Sequence, residues 1–175
     1  MADDLALLQV ELTAALDGLS SRETQLTPVQ HPGKWCIQEI VEHLQLSYQA
    51  TAPAMRARTR KGSPTLTQPT LGQHLARFTI FTLGYFPGGR QAPAEVSPRR
   101  ADCLRSGPEL ARRLCTELAS LDEICAEAEA IFGARRAMTH KALGPLSVAQ
   151  WRRFHLMHGR HHLRQVRAIR TDHGR

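Results

Sequence analysis

Four of the chain's nine histidines fall within eleven residues near its C-terminus, in HLMHGRHHLRQ from His155 to Gln165. Imidazole is the commonest metal ligand among side chains, and it also serves as a general base or as a hydrogen-bonding group inside a core. Residues four apart on a helix point the same way, so His158 and His162 sit one turn apart with rings able to converge on one point. His155 and Trp151 extend roughly the same stripe, whereas His161 is rotated by about 100° from His162 and faces a flank. Three neutral imidazoles suit a borderline divalent ion such as Zn²⁺ or Ni²⁺ and leave a fourth position open for water or substrate. Two ligands do not close a site; His43, on the edge of an earlier helix, is the natural third if that helix faces the last. The competing reading of the same spacing is a basic helix whose histidines are partly exposed or hydrogen-bonded across a bundle.

The elements that must position these residues are helical. Leu5, Leu8, Leu12, Leu16 and Leu19 recur at steps of three and four and line one face of a first helix, broken near Gly18 and the Ser20-Ser21 pair. In WCIQEIVEHLQLSYQAT, residues Ile37, Ile40, Val41, Leu44 and Tyr48 share one side of a second helix, with His43 on the edge of that face. A break rich in Lys, Arg, Pro and Thr runs from Arg56 to Pro69. Beyond it Leu71, Leu75 and Phe78, with Phe81 or Thr82, repeat at helical spacing and predict a third helix. Phe86 to Arg105 carries Pro87, Gly88, Gly89, Pro93 and Pro98 with little periodicity, and a loop of this length suits the mouth of a pocket. Ser106 and Glu109 form a capping box that opens a long helix through Leu110, Leu114, Leu118, Leu121 and Ile124 to Ile131 and Phe132. Ser147 and Gln150 form another, after the turn region THKALGPL, and open the histidine-bearing helix. No strand and no internal repeat is evident. The expected fold class is all-α: a four-helix bundle with long connecting loops, formed as one domain over residues 1–175.

Two segments resemble a known family. GKWCIQEIVEHL, with Trp35 eight positions before His43, and GPLSVAQW followed by HGRHHLRQV are similar to the DinB-like superfamily of metal-binding four-helix bundles, which includes bacterial YfiT-type proteins. The resemblance implies a divalent metal held by His43, His158 and His162, with Zn or Ni the expected ion. Several members use low-molecular-weight thiols such as mycothiol, bacillithiol or glutathione as S-transferases or isomerases, and many form homodimers. The leading expectation is therefore a metal-dependent enzyme that activates a small-molecule thiol (S-transferase type) or water (hydrolase type). The thiol would come from the cosubstrate, because none of the four cysteines matches a ligand position. The alternative is a non-enzymatic, metal-stabilised helical module that binds a protein or nucleic acid.

Other polar residues carry weaker assignments. His155 is a candidate hydrogen-bond partner of a metal-binding ring or a general base, set against a histidine hydrogen-bonded within the bundle. Gln165 is a candidate for orienting a ligand ring, and Glu42 is expected at the solvated surface. Arg160 and Arg164 could bind cosubstrate carboxylates, although arginines at helical spacing usually form a solvated face. Trp35 and Trp151 are expected to anchor the core beside the site.

Composition bounds the rest. With 23 Lys and Arg against 16 Asp and Glu the net charge is +7, much of it from the arginines of the last helix. Few aromatic residues are interleaved with them, so nucleic acid is not the expected partner. No apolar run approaches the roughly 20 residues of a membrane span, so no membrane partner is expected. The acidic N-terminus lacks an apolar signal-peptide core, which gives a cytoplasmic location as the expectation. Cys36, Cys103, Cys115 and Cys125 have no CxxC spacing and are expected as free, mostly buried thiols.

Overall fold

Four capping boxes punctuate the chain and set where its helices begin. In the computed structural model, which describes residues 4–86, 92–99 and 103–174, the helices are α1 (Asp4–Leu16), α2 (Ile37–Lys61), α3 (Leu71–Arg77), α4 (Gly107–Phe132) and α5 (Val148–Asp172). The boxes at Ser106-Glu109 and Ser147-Gln150 stand where the sequence places them. Two more open α2, with the Cys36 thiol accepting from the Glu39 amide, and α3, with Thr70 and Gln73 bonded reciprocally. In each, side chains satisfy backbone N–H groups that a first helical turn leaves without partners.

The predicted leucine stripes build the core. Leu5, Leu8, Leu12, Leu16 and Leu19 of the first segment are buried, as are Ile37, Ile40, Val41, Leu44 and Tyr48 of α2. They meet Leu110, Leu114, Leu118, Leu121 and Ile124 of α4, and Leu156, Leu163, Val166 and Ile169 of α5. α4 packs against α1 and α2, while α5 packs against α1 and meets α2 across the histidines. The fold is thus the expected all-α bundle of four long helices, with α3 as a short addition.

Three elements depart from the sequence reading. α2 does not stop near Arg56 but runs through Pro53 to Lys61, where Gly62 adopts φ 64° and ends it. Pro53 lies on the exposed side, where the carbonyl that loses its helical donor can turn to water. The turn region before α5 is an antiparallel hairpin, β1 (Arg136–His140) and β2 (Gly144–Ser147), with an irregularity between Arg136 and Met138. Strands of five and four residues are too short to show a period of two once a bulge interrupts one of them. The third predicted helix is α-helical only to Arg77 and continues as a π-helical turn, Phe78–Thr82.

The arginines of α5 are not simply a solvated face. Arg152 is buried, its Nε 2.7 Å from Asp122 Oδ1 and its Nη1 paired with Glu129. Arg160 bonds Glu11 of α1 through two nitrogens, and Arg170 donates to the carbonyls of Ala15 at 2.7 Å and Asp17 at 3.2 Å. These contacts clamp α5 to α4 and α1. They use up Arg160 as a ligand for an exogenous carboxylate.

Gly159, between His158 and Arg160, sets how closely α5 approaches α1. A Cβ there would lie 2.5 Å from Leu8 Cδ1. Gly159→Ala is expected to cost about 1–3 kcal/mol through overpacking, despite alanine's better helix propensity. A urea melt showing no loss would contradict this packing.

Candidate metal centre

His43 lies in the second turn of α2, and His158 and His162 lie one turn apart on α5. Their Nε2 atoms converge: His158 Nε2 is 3.2 Å from His43 Nε2 and 3.1 Å from His162 Nε2. One candidate ligand atom from each of the three lies within 4.8 Å of the others, and no other group of three or more His, Cys, Asp or Glu with this geometry occurs among the described residues. Nitrogens bound to one tetrahedral ion at about 2.0–2.1 Å lie roughly 3.3 Å apart, so the spacing fits a single small ion.

The far side of two rings fixes their chemistry. His43 Nδ1 is 2.7 Å from the carbonyl of Val96, which can only accept, so Nδ1 carries the proton and Nε2 presents a lone pair. His162 Nδ1 is 2.8 Å from Gln165 Oε1, with the same consequence. Gln165 Nε2 in turn lies 3.3 Å from His161 Nε2. Partners on the outer nitrogen are what orient metal-binding imidazoles. His158 differs, because its buried Nδ1 has no partner among the described residues.

Two lone pairs therefore face His158 Nε2. At most one of the two contacts can be an N–H···N hydrogen bond, since a ring nitrogen carries one proton. The other leaves a lone pair facing a nitrogen that has no proton to offer it, at hydrogen-bond distance, an arrangement that a shared cation relieves. The donor set fits a borderline divalent ion.

Burial keeps the rings in the neutral form that a ligand needs. It lowers the pKa of His43 and pushes His162 down to about 3, with repulsion from His43 adding to the second. His158 is held well below its usual range by burial and then by the neighbouring histidines. Aromatic rings surround the group: Trp35 is 5.1 Å from His43 between centroids, Phe154 stacks on His158 at 5.4 Å, and Phe86 lies 5.8 Å from His158.

A family model of the DinB superfamily matches residues 5–166. This chain belongs to the DinB superfamily. The match runs from α1 into α5 and includes all three histidines of the triad. No curated protein and no solved structure matches the chain.

The remaining sequence candidates fall in several places. His155 is 1% exposed, and its ring contacts are with Tyr48, Trp151 and Phe154. Neither of its nitrogens has a partner among the described residues, and burial pushes its pKa down to about 3. Gln165 orients the His162 ring. Glu42 is tied up instead of solvated, accepting from Gln38 Nε2 and pairing with Arg105 at 3.3 Å. Trp151 is buried and donates from Nε1 to the Met138 carbonyl, while Trp35 is half-buried beside His43. All four cysteines are free; Cys36 and Cys125 are buried, Cys115 is half-buried and Cys103 is exposed.

Two contributors escaped the sequence reading. One is the Val96 carbonyl, in the short 3₁₀ turn Ala94–Val96, because a backbone acceptor has no sequence signal. The other is Phe86, whose ring also lies 5.0 Å from His161. Both belong to the irregular segment Phe86 to Arg105. Pro87, Gly88 and Gly89 of that segment lie outside the described residues.

Replacing Gln165 by alanine is expected to weaken metal affinity by about ten- to a hundredfold, the usual effect of removing the group that holds the outer nitrogen of a metal-binding imidazole. Chelator competition measures it. Unchanged affinity would mean that the His162 ring needs no support from Gln165.

Proposed function

We propose that His43, His158 and His162 bind one divalent ion, Zn or Ni, through their Nε2 atoms, and that the site serves to activate a small-molecule thiol or water for attack on an electrophile. The observation that carries the reading is the pinning of His43 by Val96 and of His162 by Gln165, which aims both free lone pairs at His158 Nε2. A bound divalent ion of this kind lowers the pKa of a coordinated thiol or water and so supplies a nucleophile at neutral pH.

The chain's own residues then have separate tasks. The three imidazoles hold the ion, and their neutral state at pH 7 avoids competition from protons. Val96 and Gln165 keep two of them in the binding tautomer. Trp35, Phe86 and Phe154 limit the access of bulk water to the ring cluster. Arg164, exposed and donating from Nη2 to the Gly84 carbonyl at 3.0 Å, keeps its other nitrogens for a cosubstrate carboxylate. No cysteine belongs to the cluster, so a reacting thiol is exogenous.

The three-histidine set favours this reading over a purely structural metal, because structural sites usually close with four protein ligands. Cobalt-substituted protein tests it. Added glutathione, mycothiol or bacillithiol should produce a thiolate-to-cobalt charge-transfer band, absent in His162→Ala. Loaded protein that gives no band and turns over no electrophile, by thiol or by water, would overturn the enzymatic reading and leave the metal as a helix clamp.

A further inference from the structure

The part of the periodic stripe that lies on α3, Leu71 and Leu75, faces outward, as does Phe78 just after it. Leu71 and Leu75 are 89% and 66% exposed, Phe78 is 54% exposed, and Leu66, in the loop before them, is 84% exposed. α3 instead buries Ile80 in the π-helical turn that follows it and rests Ala76 and Phe81 against the core. Its apolar stripe is therefore not used by the bundle.

The charge around that stripe has one sign. No Asp or Glu occurs between Glu42 and Glu95, or between Glu129 and Asp172. These two acid-free stretches come together where α2 ends, the hairpin turns and α3 begins. The Thr65 amide donates to the Arg136 carbonyl at 2.8 Å, Arg136 Nη1 donates to the Thr67 carbonyl at 3.0 Å, and Arg58 Nη2 donates to Thr65 Oγ1 at 2.7 Å. Leu66 thus sits in a clasp between two arginines. Arg77 of α3 holds the hairpin through the carbonyls of Leu143 and Pro145. Arg56, Arg60, Lys61, Arg135, Arg136 and Lys141 lie at this end, and among the described residues none of them makes an ion pair. The acids closest along the chain are Glu127 and Glu129 in the last turns of α4, and Glu129 is paired with Arg152.

We propose that this end of the bundle docks on an anionic lipid surface, with Leu66, Leu71 and Leu75 entering the interface and the surrounding cations at headgroup level. Three observations choose this occupant. Uncompensated positive charge opposes a second copy of the same face. Leu66 and Leu71, each more than four-fifths exposed, and Leu75, two-thirds exposed, project from the surface and do not line a groove, which suits insertion into a bilayer interface. Projecting leucines also add nothing to binding a phosphate backbone, whereas clustered Lys and Arg beside apolar side chains match an acidic membrane. Among the described residues no helix is long and apolar enough to cross a membrane, but a surface contact needs none.

Sedimentation of the full chain with vesicles of phosphatidylcholine, with and without phosphatidylglycerol, tests the proposal. The protein should pellet with the anionic vesicles only, and less as salt rises. Arg60→Gln with Lys61→Gln should weaken binding roughly fivefold for each charge removed. Leu66→Ser with Leu71→Ser and Leu75→Ser should weaken it by about tenfold or more, with the circular dichroism spectrum unchanged. Arg112→Gln with Arg113→Gln, exposed on α4, should leave it as in the wild type. Four results would overturn the proposal: no vesicle binding, an arginine control that weakens binding equally, leucine variants that bind normally, or duplex DNA that binds more tightly than the vesicles. A wild-type dimer that the serine variants dissolve would also overturn it, by assigning the face to a second copy.

Discussion

His162→Ala should lower the affinity of the chain for Zn²⁺ or Ni²⁺ by about a hundred- to a thousandfold. Structural zinc sites with four ligands contribute about 10–16 kcal/mol, so one ligand is worth roughly 2.5–4 kcal/mol. The loss should reach the upper part of that range here because the remaining pair, His43 and His158, spans two helices and loses the ring that Gln165 pins. His162→Gln should not restore affinity, since an amide oxygen is a poorer ligand for a borderline ion than imidazole. Chelator competition on both variants measures the effect. A change of less than about tenfold would mean that His162 is not a ligand.

Acid should destabilise the metal-free fold as pH falls below about 6.5. His155 has a folded pKa of about 3 against 6.5 for the free side chain, and burial is the largest cause. Burial also pushes His140 down to about 4 and His162 to about 3. Below pH 6.5 the unfolded chain takes up protons that the folded chain refuses, so stability is greatest above 6.5 and falls as pH drops toward these folded values. At about pH 5 the penalty for His155 alone is roughly 2 kcal/mol. Urea melts between pH 7.5 and about 5 check the sign and size, and His155→Phe should flatten the profile. Equal stability at both ends would mean that these rings protonate freely in the folded state.

Much of the architecture was legible because it rests on local rules. The leucine spacing of α1 and α4, and the Ser-x-x-Glu and Ser-x-x-Gln boxes, specify helices from neighbours within one turn. The His158-His162 pair was legible for the same reason. His43 needed a statement about which helices face each other, which spacing alone does not supply; the resemblance of the two motifs supplied it. The hairpin was hidden by its short strands, and the reach of α2 past Pro53 was hidden by composition that usually marks a loop. The burial of Arg152 was not legible, because a buried guanidinium and a solvated one share the same helical spacing and only Asp122 and Glu129 on α4 tell them apart. The stripe of α3 shows the same limit in reverse: periodicity marks an apolar face without saying which way it turns.

The claim on which the account rests is that the triad holds a metal ion. Elemental analysis of protein purified without an affinity tag, beside His158→Ala and His162→Ala, tests it most directly. The account predicts about one Zn or Ni per wild-type chain and none in either variant. Wild-type protein that stays free of metal after reloading, with a circular dichroism spectrum matching the folded bundle, would contradict it and leave the three imidazoles as a buried hydrogen-bonded cluster.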